Sequence, residues 1–190
     1  MIDESTLNQN TLAYRYNHKL ILDELDSIKP VNILEVDKYN LLTHKIKTKY
    51  PHVSISHCHG DFDENIYVIG NFDGEILAIP GSHFDTVVFT SVIEHLYNPL
   101  FALEEIKKYI KPDGILLLAM PKGTIMSVQY YWHFHEMTKN QLFMLMDRAG
   151  FMCVSYKEFP RYWGKPKRWG IRPILRRLID KYIISQWVIK

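Results

Sequence analysis

The chain has 190 residues, 47% of them apolar and 23% charged, and a formal net charge of +2. These values are typical of one globular domain with a substantial core, and so small a charge does not indicate a nucleic-acid partner. No apolar run reaches the roughly 18 residues of a membrane span, and the start, residues 1–5, is unlike a signal peptide. We therefore expect one cytoplasmic domain over residues 1–190.

The first half of the chain predicts alternating helices and strands. Apolar residues at helical spacing indicate a first helix within residues 1–30, from about Leu12 to Leu25, that ends before Pro30. The further elements expected here are a buried strand at 31–36, a helix at 41–49, and strands at 53–58 and 66–69.

The second half carries clearer signals. Residues 85–90 and 115–120 are apolar on both faces, as in strands of a parallel sheet. Between them, Asn98-Pro99 predicts a helix start, and Pro112-Asp113-Gly114 predicts a turn. A strand, a helix and a buried strand in this order indicate a crossover within a mostly parallel sheet.

The last part predicts the same pattern once more. Thr138 and Gln141 form a capping box, and a strand is expected at 151–156. A helix at 173–183 and a terminal strand at 186–189 would complete the chain. The expected fold class is α/β, a doubly wound, mostly parallel sheet with a late antiparallel strand.

Residues 83–122 carry a set of coordinated motifs. They are a Phe-Asp before a strand, a Glu-His just after it, an Asn-Pro helix start, a Lys-Pro-x-Gly turn and a strand that ends in proline. This stretch resembles the class I S-adenosylmethionine-dependent methyltransferases. The later His133-x-His135-x-x-Thr138 segment is similar to members that act on sugars and other small molecules. The resemblance implies a Rossmann-like fold, S-adenosylmethionine as cofactor and a small-molecule acceptor, with a sugar or sugar nucleotide as the candidate.

The loop after the first strand departs from this family. Asp37, Tyr39 and Leu41 stand where a methyltransferase has the glycines that let the backbone approach its cofactor. Two functional interpretations follow from this departure. The chain is an active methyltransferase with an altered cofactor loop, or it is an inactive homologue that serves as a binding or partner-stabilising module.

The resemblance assigns cofactor contacts to three regions. Glu35 and Asp37 belong to the loop after the first strand, and Asp73-Gly74 matches the acidic position that contacts the adenine amino group. The alternative for Asp73-Gly74 is an ordinary turn. Thr90 and Ser91 follow a later strand at the carboxyl edge, where ligands bind in open α/β sheets.

On the acceptor side, the resemblance places Glu94 and His95 beside the pocket. A histidine has a pKa near neutrality, so His95 is the candidate general base for a hydroxyl proton. The alternative for Glu94 is to brace a loop.

The aromatic segment at 130–135 supplies the other acceptor candidates. Trp132, His133 and His135 would line the acceptor pocket, although core packing explains many such clusters. No third ligand stands near these histidines at a convincing spacing, so we expect no metal.

A basic segment at residues 161–184 carries an apolar face between its charges. It is interpreted either as a docking helix with a solvated basic side or as a peripheral contact with an anionic membrane or a phosphate-bearing substrate. The sequence does not indicate an oligomeric state.

Overall fold

The structure is a computed structural model that describes residues 12–37, 40–57, 83–124, 133–160 and 180–190. The elements in chain order are α1 (Leu12–Ile28), β1 (Asn32–Glu35), α2 (Leu41–Lys49), β2 (Ser54–His57), β3 (Phe84–Thr90), a short 3₁₀ helix (Ile93–His95), α3 (Pro99–Lys107), β4 (Ile110–Pro121), α4 (Lys139–Arg148), β5 (Phe151–Pro160) and β6 (Lys181–Ile189). The strand predicted at 66–69 lies outside the described residues.

Six strands form one sheet in the order β2-β1-β3-β4-β6-β5. The strands β2, β1, β3 and β4 pair in parallel, whereas β6 is antiparallel to both of its neighbours. Thr86 lies opposite Ile115, and Thr90 lies opposite Ala119. This register confirms the predicted crossover and the mostly parallel sheet with a late antiparallel strand.

Both faces of the sheet are covered, because the central strands are apolar on both sides. On one face Val88 and Leu117 pack with buried residues of α1 and α2. On the other face Val87 and Leu116 pack with buried residues of α3 and α4. The result is a three-layer α/β arrangement, as expected of a doubly wound sheet.

The helix ends follow the signals in the sequence. Asn98 caps α3 by accepting from the N–H of Phe101 at 3.2 Å, with Pro99 at the first helical position. Thr138 and Gln141 form the predicted capping box at α4. Gly150 follows α4 with a positive φ of 82°, a conformation that glycine adopts without strain.

The largest differences from the expected boundaries concern β4 and β6. The predicted turn at Pro112-Asp113-Gly114 lies inside β4 as an irregularity, because Phe84 pairs with Ile110 while Thr86 pairs with Ile115. A Cβ on Gly114 would approach the carbonyl oxygen of Phe84 to 3.0 Å, so this irregularity needs a glycine.

The helix predicted to run to Ile183 is also wrong at its end. Strand β6 begins at Lys181, and the side chains of residues 182–187 are all buried. Burial on both faces abolishes the alternation that marks an exposed strand, so the sequence pattern did not separate the start of β6 from the helix predicted before it.

A buried polar contact joins α1 to the edge of the sheet that β6 and β5 form. Glu24 on α1 is 5% exposed and accepts from Lys157 Nζ at 2.5 Å and from Gln186 Nε2 at 2.7 Å. These partners belong to β5 and β6. The first helix is thus tied to the last two strands through one carboxylate.

Candidate functional site

The strand order places a topological switch point at the carboxyl ends of β1 and β3, the position at which open α/β sheets form a crevice. From β1 the chain proceeds to β2 on one side, and β3 lies on the other side of β1. At these strand ends the N–H of Val36, the residue after β1, donates to the carbonyl oxygen of Val88 in β3 at 2.9 Å. In open α/β sheets, ligands bind at such a topological switch point.

Glu35, a predicted cofactor residue, ends β1 and is 1% exposed. Its Oε2 accepts from the Thr43 hydroxyl of α2 at 2.7 Å. Burial, the largest cause, raises the pKa of Glu35 to about 8, although the Thr43 bond acts in the opposite direction. The side chain therefore braces α2 against β1 and is mainly protonated at neutral pH.

Asp37, the next predicted cofactor residue, is half-buried at the same edge and accepts from Asn40 Nδ2 at 3.0 Å. Asn40 also caps α2, since its Oδ1 accepts from the N–H groups of Leu42 at 2.7 Å and Thr43 at 3.3 Å. These two N–H groups in the first turn of α2 are thereby hydrogen-bonded within the chain instead of being left for a ligand.

Thr90 ends β3 beside this loop and Ser91 follows it, which brings the predicted cofactor residues of the two strands together. Thr90 is 9% exposed, and Ser91 is exposed with a φ of 55°. The Ser91 N–H donates to the carbonyl oxygen of Ala119 at 2.8 Å, and its hydroxyl lies 2.9 Å from the hydroxyl of Tyr182. The backbone N–H and the hydroxyl of Ser91 are therefore held next to the end of β3 by β4 and β6.

The predicted acceptor residues gather beyond the end of β3. Glu94 is 1% exposed, His95 is exposed, and His133 is half-buried. The rings of His95 and His133 meet edge to face with centroids 4.7 Å apart. His135 is half-buried, and its N–H donates to the carbonyl oxygen of Glu94 at 3.1 Å.

Two further residues, Glu136 and Gly123, contribute to this cluster and were not predicted from the sequence. Glu136 is 9% exposed, and its Oε1 lies 2.7 Å from Nδ1 of His133. The Gly123 N–H donates to the carbonyl oxygen of Met137 at 2.8 Å, and a Cβ at Gly123 would lie 1.8 Å from the carbonyl oxygen of Glu136. The i, i+3 spacing of His133 and Glu136 is the feature of the sequence that could have indicated their contact.

Several predicted site residues lie outside the described part of the chain. They are Tyr39 in the cofactor loop, Asp73 and Gly74 in the proposed adenine contact, and Trp132 in the acceptor segment. Most of the basic segment lies there as well, because 161–179 are not described. None of the helices in the described ranges combines the length and apolarity that a bilayer crossing requires.

Comparison with known proteins is consistent with this architecture. The family described as methyltransferase domain matches residues 25–156, which is more than half of the chain. No curated protein matches the sequence.

Solved structures with the same fold have low sequence identity to this chain. One is the 1,6-didemethyltoxoflavin-N1-methyltransferase of Burkholderia thailandensis with bound 1,6-didemethyltoxoflavin and S-adenosylhomocysteine, at 13% identity and a TM-score of 0.69, over 97% of this chain and 81% of that one. A second is the N-methyltransferase NodS of Bradyrhizobium japonicum WM9 in complex with S-adenosylhomocysteine, at 13% identity and a TM-score of 0.65, over 95% and 89% of the two chains.

A third similar structure is a [4+2]-cyclase, SpnF, at 13% identity and a TM-score of 0.61, over 84% of this chain and 74% of that one. At such identities the likeness shows the fold alone. The sheet order and the family match over residues 25–156 together establish that the chain belongs to the methyltransferase domain family.

Proposed function

We propose that this chain is an S-adenosylmethionine-dependent methyltransferase acting on a small-molecule acceptor, and that it forms one domain. The observation that carries the proposal is the meeting of the β1 and β3 ends at the switch point of the sheet, in a member of the methyltransferase domain family. Two structures with this fold hold S-adenosylhomocysteine, and one of them also holds a small-molecule acceptor.

The crevice residues divide between cofactor and acceptor. Glu35, Asp37, Thr90 and Ser91 border the cofactor position, and the sequence adds Asp73-Gly74 to them. S-adenosylmethionine supplies a methyl group on an activated sulfonium, so the protein needs chiefly to position the acceptor and to remove a proton.

His95 is the proposed proton acceptor. It is exposed at the end of the 3₁₀ helix that follows β3, next to the cofactor residues of that strand. An imidazole nitrogen takes the hydroxyl proton of the acceptor while the acceptor oxygen bonds to the methyl carbon. The electrons of the broken sulfur–carbon bond remain on sulfur, which leaves S-adenosylhomocysteine as the product.

The surroundings of His95 support an acceptor that contains a ring, such as a sugar or sugar nucleotide. Tyr97 and Phe134 are both exposed, and their rings lie 4.3 Å apart between centroids with a tilt of 38°. Glu94, His133 and His135 place polar groups next to this aromatic pair. Aromatic faces beside hydrogen-bonding groups suit a ring with hydroxyl substituents.

A second candidate function is a binding or partner-stabilising module without catalysis. The observation that favours it is the cap of α2, because Asn40 occupies the N–H groups of Leu42 and Thr43 that a methionyl carboxylate would use. In that case the switch point would no longer provide the anion contact expected at this helix end.

Isothermal titration with S-adenosylhomocysteine separates the two functions. The methyltransferase proposal expects one binding site per chain. Absence of heat up to about millimolar ligand, which corresponds to less than about 4 kcal/mol of binding free energy, would contradict it. Once an acceptor is found, His95→Ala is expected to lower turnover at least about tenfold, because general-base catalysis contributes this much or more.

The basic segment carries a separate hypothesis, peripheral contact with an anionic membrane, through its residues 161–179, because residues 181–184 belong to β6 and residues 182–184 are buried. The charges there support it by their number and by the apolar residues between them. Co-sedimentation of the full chain with vesicles is expected to rise with the fraction of anionic lipid. Co-sedimentation that does not depend on that fraction would contradict the hypothesis.

A further inference from the structure

We propose that Glu94, His95 and His133 form a binding site for a divalent metal ion of the zinc type. Each of these residues offers one ligand atom, and the three atoms lie within 4.8 Å of one another. The fold thus brings Glu94 and His95, from the 3₁₀ helix after β3, beside His133, whereas the sequence showed no third ligand near His133 and His135. The expectation of no metal was based on residue spacing along the chain, and that spacing does not indicate the contact of Glu94 and His95 with His133.

The position of Glu136 supports a metal-binding role for His133. Glu136 Oε1 lies 2.7 Å from Nδ1 of His133, and the two side chains are 0% and 12% exposed. A carboxylate at this position accepts hydrogen bonds, so the contact favours the tautomer with the proton on Nδ1 and the lone pair on Nε2. Metal-binding histidines characteristically donate their other ring N–H to a carboxylate in this way.

The backbone holds the two ligand-bearing segments together. The carbonyl oxygen of Glu94 accepts from the N–H groups of Phe134 at 2.7 Å and His135 at 3.1 Å. Ligands of a tetrahedral zinc ion lie about 3.4 Å apart, given bonds of about 2.0–2.1 Å. The three ligand atoms therefore need to move only a little closer to one another than in the structure, and rotation of the exposed His95 side chain provides this movement.

The donor set favours a particular class of metal. Two imidazole nitrogens and one carboxylate oxygen suit zinc and similar transition metals, whereas magnesium and calcium prefer oxygen ligands. Glu94 and Glu136 supply two carboxylates against the two charges of the ion. Three protein ligands leave a position for water or for an oxygen of another molecule, as in catalytic zinc sites.

The site stands on these contacts and does not require the proposed methyl transfer. Where both hold, and resting on the proposed function, the metal would bind the acceptor hydroxyl and lower its pKa, and His95 would act as a ligand instead of a free base. Loss of turnover in His95→Ala is expected under either role. Metal binding, not activity, is therefore the decisive measurement.

The test uses the full chain freed of metal, with Zn²⁺ titrated in competition with a chromophoric chelator. We expect one Zn²⁺ per chain, and tetrahedral absorption bands when Co²⁺ replaces it. His133→Ala and His95→Ala are expected to weaken Zn²⁺ binding at least about 100-fold, and Glu136→Gln about 10- to 100-fold. The matched control is His83→Ala, an exposed histidine at the opposite edge of the sheet, which is expected to bind Zn²⁺ as the wild type does.

Two results would overturn the metal site. One is no Zn²⁺ uptake by the wild type at about 100 µM, and the other is wild-type affinity in both histidine variants. If His133→Ala fails to fold, His95→Ala decides alone, because its side chain is exposed. Titration of the metal-free chain with S-adenosylhomocysteine shows separately whether the proposed function fails.

Discussion

The N–H of Phe134 donates to the carbonyl oxygen of Glu94 at 2.7 Å, which joins the turn after β3 to residues far along the chain. His133 is the residue before Phe134, and His95 is the residue after Glu94. The two imidazoles therefore meet at 4.7 Å between centroids. A polar cluster at the carboxyl edge of the sheet is the consequence of this backbone contact.

Gly123 is expected to be essential for that cluster. In Gly123→Ala the new Cβ would lie 1.8 Å from the carbonyl oxygen of Glu136, so one of the two segments must move. We expect a loss of about 1–3 kcal/mol in the free energy of unfolding, measured with urea, together with weaker Zn²⁺ binding. Asn140→Ala, an exposed site on the neighbouring helix α4, serves as the control, and equal effects of the two substitutions would contradict the steric argument.

Glu24 is expected to contribute strongly to stability. Glu24→Ala removes the acceptor of Lys157 and of the largely buried amide of Gln186. A loss of about 2–4 kcal/mol in the free energy of unfolding is expected, because a buried polar group then loses its partner.

Asp23→Ala is the matched control for Glu24. Asp23 pairs with Lys19 on the surface, where both side chains are largely exposed, so its removal should cost less than about 1 kcal/mol. Similar denaturation midpoints for Glu24→Ala and Asp23→Ala would show that the buried contact stabilises little.

Ser91 is expected to prefer glycine over alanine. Its φ of 55° is unfavourable for any residue with a Cβ, and both substitutions lose the contact with Tyr182 equally. Ser91→Gly should therefore be more stable than Ser91→Ala by about 1 kcal/mol in thermal or urea unfolding. At the exposed strand position Ser54 the opposite order is expected, and the same order at both sites would remove the strain argument.

The raised pKa of Glu35 predicts a pH dependence of stability. The native carboxyl titrates near pH 8 and the ordinary carboxyl near 4.5, so the folded state binds more protons between these values. Stability is therefore expected to fall as pH rises through this window, by up to about 1.4 kcal/mol per pH unit. Glu35→Gln, which cannot ionise, should lack this decline, and parallel stability curves for the two proteins would contradict the assignment.

The architecture was predictable because its signals are local. Doubly apolar runs marked β3 and β4, and the capping side chains of Asn98 and Thr138 marked the starts of α3 and α4. The helix predicted at 41–49 agrees with α2. Hydrophobic pattern and capping chemistry act over a few residues, so they can be detected in one sequence.

The rest of the site depends on contacts between distant residues. The meeting of His95 with His133 arises from the path of the loop at 133–137, and no spacing in the sequence indicates it. The Asn40 cap of α2 and the contact between Ser91 and Tyr182 are likewise formed only in the folded chain. The start of β6 was missed because a fully buried strand lacks the alternation of an exposed one.

Photo-crosslinking with radiolabelled S-adenosylmethionine, followed by peptide mapping, tests the proposed cofactor site most directly. The proposal predicts label on peptides from residues 31–45 or 84–96 or on the peptide that contains Asp73-Gly74, and excess S-adenosylhomocysteine should prevent it. Label confined to peptides from residues 139–160, or label that the competitor does not reduce, would contradict the placement of the cofactor at the switch point.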